Sequence, residues 1–208
     1  MTHRPNWAEV AVVVATGGLH HLFLHVIGFH GVFIAVAVLG WTTYVVVRAK
    51  RDSAILNEGG FTRVGLRAAF VATSWVSLVG VIGLASIGAW RGHLRLHWHM
   101  LPLLALYPIW GVIQQFLVQA LFARNLALTR VGTRFKAAVV FASALVFASA
   151  HLPALDITFA TFLLGLGFTP LYFRFRNLWP LGVYHGWLGL CFYFWVVARD
   201  PLEKILHR

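Results

Sequence analysis

Apolar runs long enough to cross a bilayer recur along the whole of this 208-residue chain, and they constrain its fold more than any other feature. Backbone N–H and C=O groups find no water in hydrocarbon, so spanning segments satisfy them internally as helices. The runs lie at roughly 8–26, 31–48, 66–90, 101–123, 136–151, 154–173 and 178–198. They predict an all-α fold, a polytopic transmembrane helical bundle of about seven spans. Only Gly28-Phe29-His30-Gly31 separates the first two. Charged residues make up 11% of the chain. A soluble domain holds about a quarter, so that class is excluded.

The net charge of +11 points to membrane-flanking loops rather than to nucleic acid. With seven spans, Arg4, Arg48, Lys50, Arg51, Arg63, Arg67, Arg124, Arg130, Arg134, Lys136, Arg174 and Arg176 share one side. Arg91, Arg95, Arg199, Lys204 and Arg208 lie opposite. This bias predicts a cytoplasmic N-terminus; the expected location is a prokaryotic inner membrane, crossed several times. Anionic lipid would engage the same cations. The lone Cys191 excludes an intrachain disulfide and reads as a small buried hydrophobe. No removed signal peptide, internal repeat or soluble domain is expected.

The chemistry lies in the second half. Gln115 and Gln119 are four residues apart and share a helical face, with Gln114 beside them. Phe147 and His151 are also four apart, and His185 lies in the last apolar run. Amides and imidazoles at membrane depth are costly unless they face the bundle interior. Gln side chains there act either as interhelical hydrogen-bonding glue or as part of a site. His151 precedes Leu152-Pro153, so a helix-end carbonyl or water can satisfy its ring.

Phe147-x-x-x-His151, an apolar helix with Gly165-Leu-Gly167, then Tyr172-Phe-Arg-Phe-Arg-Asn177-Leu-Trp-Pro, then His185, resembles the CPBP family. These are type II CAAX prenyl endopeptidases and bacteriocin-processing or bacteriocin-immunity membrane proteins. The resemblance covers roughly residues 101–198 and implies three regions. Residues 1–100 are helices without a recognised motif, 101–198 are a CPBP-like membrane core, and 199–208 are a polar tail. It also implies family-equivalent catalytic positions at Gln114, Gln115, Gln119, His151 and His185.

The family carries Glu-Glu-x-x-x-Arg and His-x-x-x-Asn, where this chain has Gln114-Gln115-x-x-x-Gln119 and His185-x-x-x-Gly189. In the family's proposed mechanism a glutamate and a histidine activate water, and polar groups including the asparagine hold the oxyanion. A primary amide offers hydrogen bonds but no titratable lone pair. The expectation is therefore a neutral, amide-lined polar interior and a non-proteolytic scaffold, accessory subunit or binder of a prenyl- or lipid-like ligand. Two alternatives stand beside it: an endopeptidase working with His151 and His185 alone, and a histidine-based metal- or pigment-binding subunit. The sequence names no cofactor. Asp156 is the nearest carboxylate to His151 and suits a helix cap.

His20, His21, His25 and His30 form a second group, and His93, His97 and His99 a third. Such histidines can ligate zinc or iron, with His21, His25, His151 and His185 the weak metal candidates. No Glu stands nearby to complete a carboxylate-bridged centre, and rings at the water–lipid boundary are the duller reading. Trp7, Trp90, Trp98 and Trp179 fall at span ends, as in an interfacial belt. Gly17-Gly18 and Gly165-x-Gly167 read as close-packing positions.

Overall fold

A computed structural model describes residues 4–51, 54–130 and 132–203 of the chain. Lys204 and Arg208, counted above in the charge pattern, lie outside the described residues. Helix α1 (Trp7–Leu22) runs on through a π-helical segment, Phe23–Ile27. After it come α2 (His30–Arg51), α3 (Ala54–Gly59) and α4 (Leu66–Trp90). Helix α5 (Met100–Gln115) continues through a second π segment, Phe116–Ala123, into α6 (Arg124–Ala127). The last three are α7 (Thr133–Ser149), α8 (Leu155–Phe175) and α9 (Trp179–Cys191), the last extended by a π segment, Phe192–Val196. No strand occurs among the described residues. The chain is a helical membrane bundle, as the apolar pattern predicts.

All seven predicted segments are helical, but they are not equally long. Gly31–Arg51, Leu66–Trp90, Met100–Ala127 and Leu155–Phe175 are each long and apolar enough to cross a membrane. The α-helical parts of α1, α7 and α9 have 16, 17 and 13 residues. Helix α7 stops just before Leu152-Pro153, because the residue preceding proline is pushed out of the helical region. Exposed Val71, Trp75, Val79 and Ile82 line one face of α4 at helical spacing. Such a face suits lipid. The four tryptophans expected at span ends are exposed there.

Contacts between helix ends define two ends of the bundle. At one end Arg91 after α4 pairs with Asp156 of α8 and donates to the Val196 carbonyl. At the other, Glu9 of α1 accepts from Tyr44 (2.7 Å), Arg48 (2.8 Å) and Asn125 (2.7 Å), and Arg124 pairs with Glu58 (2.6 Å). Of the twelve cations grouped above, Arg48 and Arg124 make ion pairs at this end. Asp156 does not cap α8: it sits in that helix's first turn, and its carboxylate turns to Arg91 instead.

The segment Tyr172–Trp179 shows how a loop motif fastens the Glu9 end. The Tyr172 hydroxyl donates to the Gly59 carbonyl, and the Leu178 N–H donates to that of Gly60. Asn177, almost fully buried, donates to the Thr62 and Val64 carbonyls and accepts from the Trp179 N–H. Gly60 makes the turn at φ 102°, where a Cβ would meet Arg176 and Leu178 at 3.1 Å. Asn177→Ala leaves these buried groups unpaired and is expected to cost about 1–3 kcal/mol, read as a lowered unfolding temperature in detergent.

The core forms around the π segment Phe116–Ala123, all of whose residues are buried. It packs on Phe168, Tyr172, Leu178 and Leu181. Beside it α5 and α9 cross so closely that backbones touch. A Cβ on Gly186 would stand 2.5 Å from the Pro108 nitrogen, and those on Gly111 and Gly182 would overlap the opposite backbone. Gly182-x-x-x-Gly186 is thus a small-residue contact face. Gly165 works likewise against Ala144, whereas a Cβ on Gly17 would make only an ordinary 3.7 Å contact with Ala150, and Gly18 faces open space and is not a packing position.

Candidate functional site

The tight α5–α9 crossing positions the polar groups. Gln115 ends the regular part of α5 and Gln119 lies in the π segment after it, both fully buried. His185 projects from the middle of α9 and is 7% exposed. Without Gly111, Gly182 and Gly186 the helices would stand too far apart for their side chains to meet.

They form a directed hydrogen-bonded chain. The Gln119 amide nitrogen donates to Gln115 Oε1 (3.1 Å), and the Gln115 amide nitrogen donates to His185 Nδ1 (3.2 Å). An amide nitrogen only donates, so His185 accepts at Nδ1 and carries its proton on Nε2. The chain thereby occupies the imidazole's lone pair. One acceptor is left over: Gln119 Oε1 is buried and has no hydrogen-bond partner. Gln114 is half-buried and makes no side-chain hydrogen bond among the described residues.

His151 stands apart from this chain. Its Nδ1 lies 2.9 Å from the Phe147 carbonyl, one helical turn back. A carbonyl only accepts, so the ring's proton is on Nδ1 and its lone pair on Nε2. The Phe147 ring packs edge-on against both imidazoles, at 5.4 Å from His151 and 5.2 Å from His185. The two histidines are thus neighbours across one phenylalanine, with opposite tautomers. The five candidate positions therefore divide: Gln115, Gln119 and His185 are bonded together, His151 adjoins them, and Gln114 stays outside.

A residue of the first half joins this neighbourhood. His20 of α1 lies 6.3 Å from the His151 ring, and its Nδ1 lies 3.0 Å from the Ala150 carbonyl. His21 Nδ1 lies 3.0 Å from the Leu152 carbonyl. Both rings thus satisfy carbonyls left open at the end of α7. His21, His151 and His185 are not in the one group of His, Cys, Asp or Glu ligand atoms that gather within 4.8 Å among the described residues. The side chain of His25 lies outside the described residues. The weak metal candidates thus form no common centre among the described side chains.

Sequence reasoning missed Glu9, a carboxylate inside the first apolar run. Its signal was present, since an ionisable residue in a span demands a partner. It also missed the Gly182/Gly186 pair, which the small-x-x-x-small spacing exposes.

Residues 101–191 match the family described as type II CAAX prenyl endopeptidase Rce1-like. This segment, less than half of the chain, is similar to the CPBP family. The matched CPBP segment begins one residue into α5 and ends with α9, so it contains all five candidate positions and the Tyr172–Asn177 fastening. Helices α1 to α4, which bring His20 and Glu9, lie before it. No curated protein and no solved structure matches this chain.

Proposed function

We propose that this CPBP-like membrane protein is non-proteolytic, and that its interior serves as a hydrogen-bonded scaffold supporting an accessory role in the membrane. The observation that carries this reading is the Gln115–His185 hydrogen bond at 3.2 Å. At the position where the family places a glutamate, the side chain donates to the imidazole instead of accepting from water. Loss of a general base costs about 10²–10⁴ in rate. Loss of an oxyanion donor, here Gly189 where the family has asparagine, costs about 10²–10³ more. The Glu9 end of the bundle is proposed to face the cytoplasm.

The test is an endopeptidase assay with prenylated peptides, run on the unmodified protein beside Gln114→Glu/Gln115→Glu. No cleavage above background is expected from the unmodified protein. Robust cleavage that disappears in His151→Ala would overturn the proposal, since His151 keeps a lone pair on Nε2.

A second reading has its own observation. The unpartnered Gln119 Oε1 suits the hydroxyl or N–H of a neutral head group on an apolar tail. If a ligand binds there, lipid analysis of the purified protein finds a co-purifying molecule that Gln119→Leu loses. If the network is purely structural, the two preparations match.

A further inference from the structure

A separate cluster forms at the end of the bundle away from Glu9, outside the CPBP segment. The α4–α5 loop brings His97 and His99 against Asp200, which follows α9. Asp200 Oδ2 lies 3.5 Å from His97 Nδ1 and 2.5 Å from His99 Nδ1. Ligand atoms of the three residues all lie within 4.8 Å of one another. Among the described residues this is the one group of three His, Cys, Asp or Glu side chains so gathered.

We propose that His97, His99 and Asp200 bind a divalent first-row transition metal ion, zinc foremost, through three protein ligands with a further position open. Two imidazoles and one carboxylate are the donor set of open zinc sites. In tetrahedral zinc coordination, donors lie about 3.3 Å apart, from bond lengths near 2.0–2.1 Å. The His97–Asp200 separation already suits that, and the ion would replace the hydrogen bond that His97 Nδ1 accepts from the His99 N–H (3.3 Å). His99 and Asp200 need to part by under about 1 Å, a side-chain rotation rather than a backbone shift.

The surroundings pre-orient the donors. Asp200 Oδ1 accepts from the N–H groups of Leu202 (2.9 Å) and Glu203 (3.2 Å), which aims Oδ2 at the histidines. The His97 ring stacks on Phe194 and the His99 ring meets Trp98 edge-on, so aromatic walls fix both imidazoles. When an ion takes His99 Nδ1, the proton now shared with Asp200 is carried on Nε2 instead, so the neutral ring keeps one N–H.

The experiment uses the full chain, purified in detergent without a polyhistidine tag and stripped with chelator. Zn²⁺ is titrated by calorimetry, with Co²⁺ as the spectroscopic probe. One equivalent is expected to bind, with a visible Co²⁺ band. His99→Ala and Asp200→Asn are each expected to weaken binding by at least about 10-fold. His21→Ala, another exposed histidine, is expected to leave it unchanged. Asp200→Asn keeps an oxygen for the Leu202 and Glu203 N–H groups, so its fold is preserved. Absence of stoichiometric binding by the unmodified protein, or binding that neither His99→Ala nor Asp200→Asn weakens, would overturn the proposal.

Discussion

Gly186→Val is expected to prevent α5 and α9 from assembling, leaving no monodisperse folded protein in detergent. The added atoms would enter the Tyr107–Pro108 backbone, whose atoms lie 2.5 to 2.7 Å from the Cβ position. Overpacking a core costs about 1–3 kcal/mol when side chains can move aside. Here the opposing atoms are main chain, in a helix whose Pro108 cannot slide without breaking further contacts, so the cost exceeds that range. Gly83→Val is the control: a Cβ there meets nothing within 4 Å. Size-exclusion profiles and unfolding temperatures of the pair check the expectation, and equal profiles would show that the crossing tolerates spreading.

Gln115→Leu is expected to destabilise the fold by about 2–6 kcal/mol. The substitution keeps the volume near that of glutamine but removes two hydrogen bonds at once. It leaves His185 Nδ1 without a donor and the Gln119 amide nitrogen without an acceptor, in a region where both glutamines are fully buried. Each stranded buried group costs about 1–3 kcal/mol. Thermal unfolding in detergent measures this directly. A stability equal to that of the unmodified protein would mean that water reaches these groups, and would favour the ligand-binding reading.

The helical segments were legible because hydrophobic length is a local property. Each apolar run became a helix, and Leu152-Pro153 marked the end of α7. The interior polar set was legible for a similar reason: buried amides and imidazoles are costly wherever they occur, so Gln115, Gln119 and His185 marked an inward face. What the sequence hid depends on pairing across the chain. A regular α-helical projection does not describe the π segment holding Gln119, because its turns are wider. His20 reaches His151 through 130 residues of intervening chain, and no spacing rule links them. The His99–Asp200 pair likewise spans 101 positions. Asp156 looked like a cap from its place before a helix, but Arg91 offered a charged partner.

The central claim is that the Gln115 amide occupies the lone pair of His185, and nitrogen NMR on histidine-labelled protein tests it most directly. With His185 assigned by comparison with His185→Phe, the account predicts a neutral ring protonated on Nε2, with Nδ1 accepting a hydrogen bond. Gln115→Glu is expected to change that pattern, because a carboxylate accepts where the amide donates. A ring protonated on Nδ1 in the unmodified protein, with its Nε2 lone pair free as a general base requires, would contradict it.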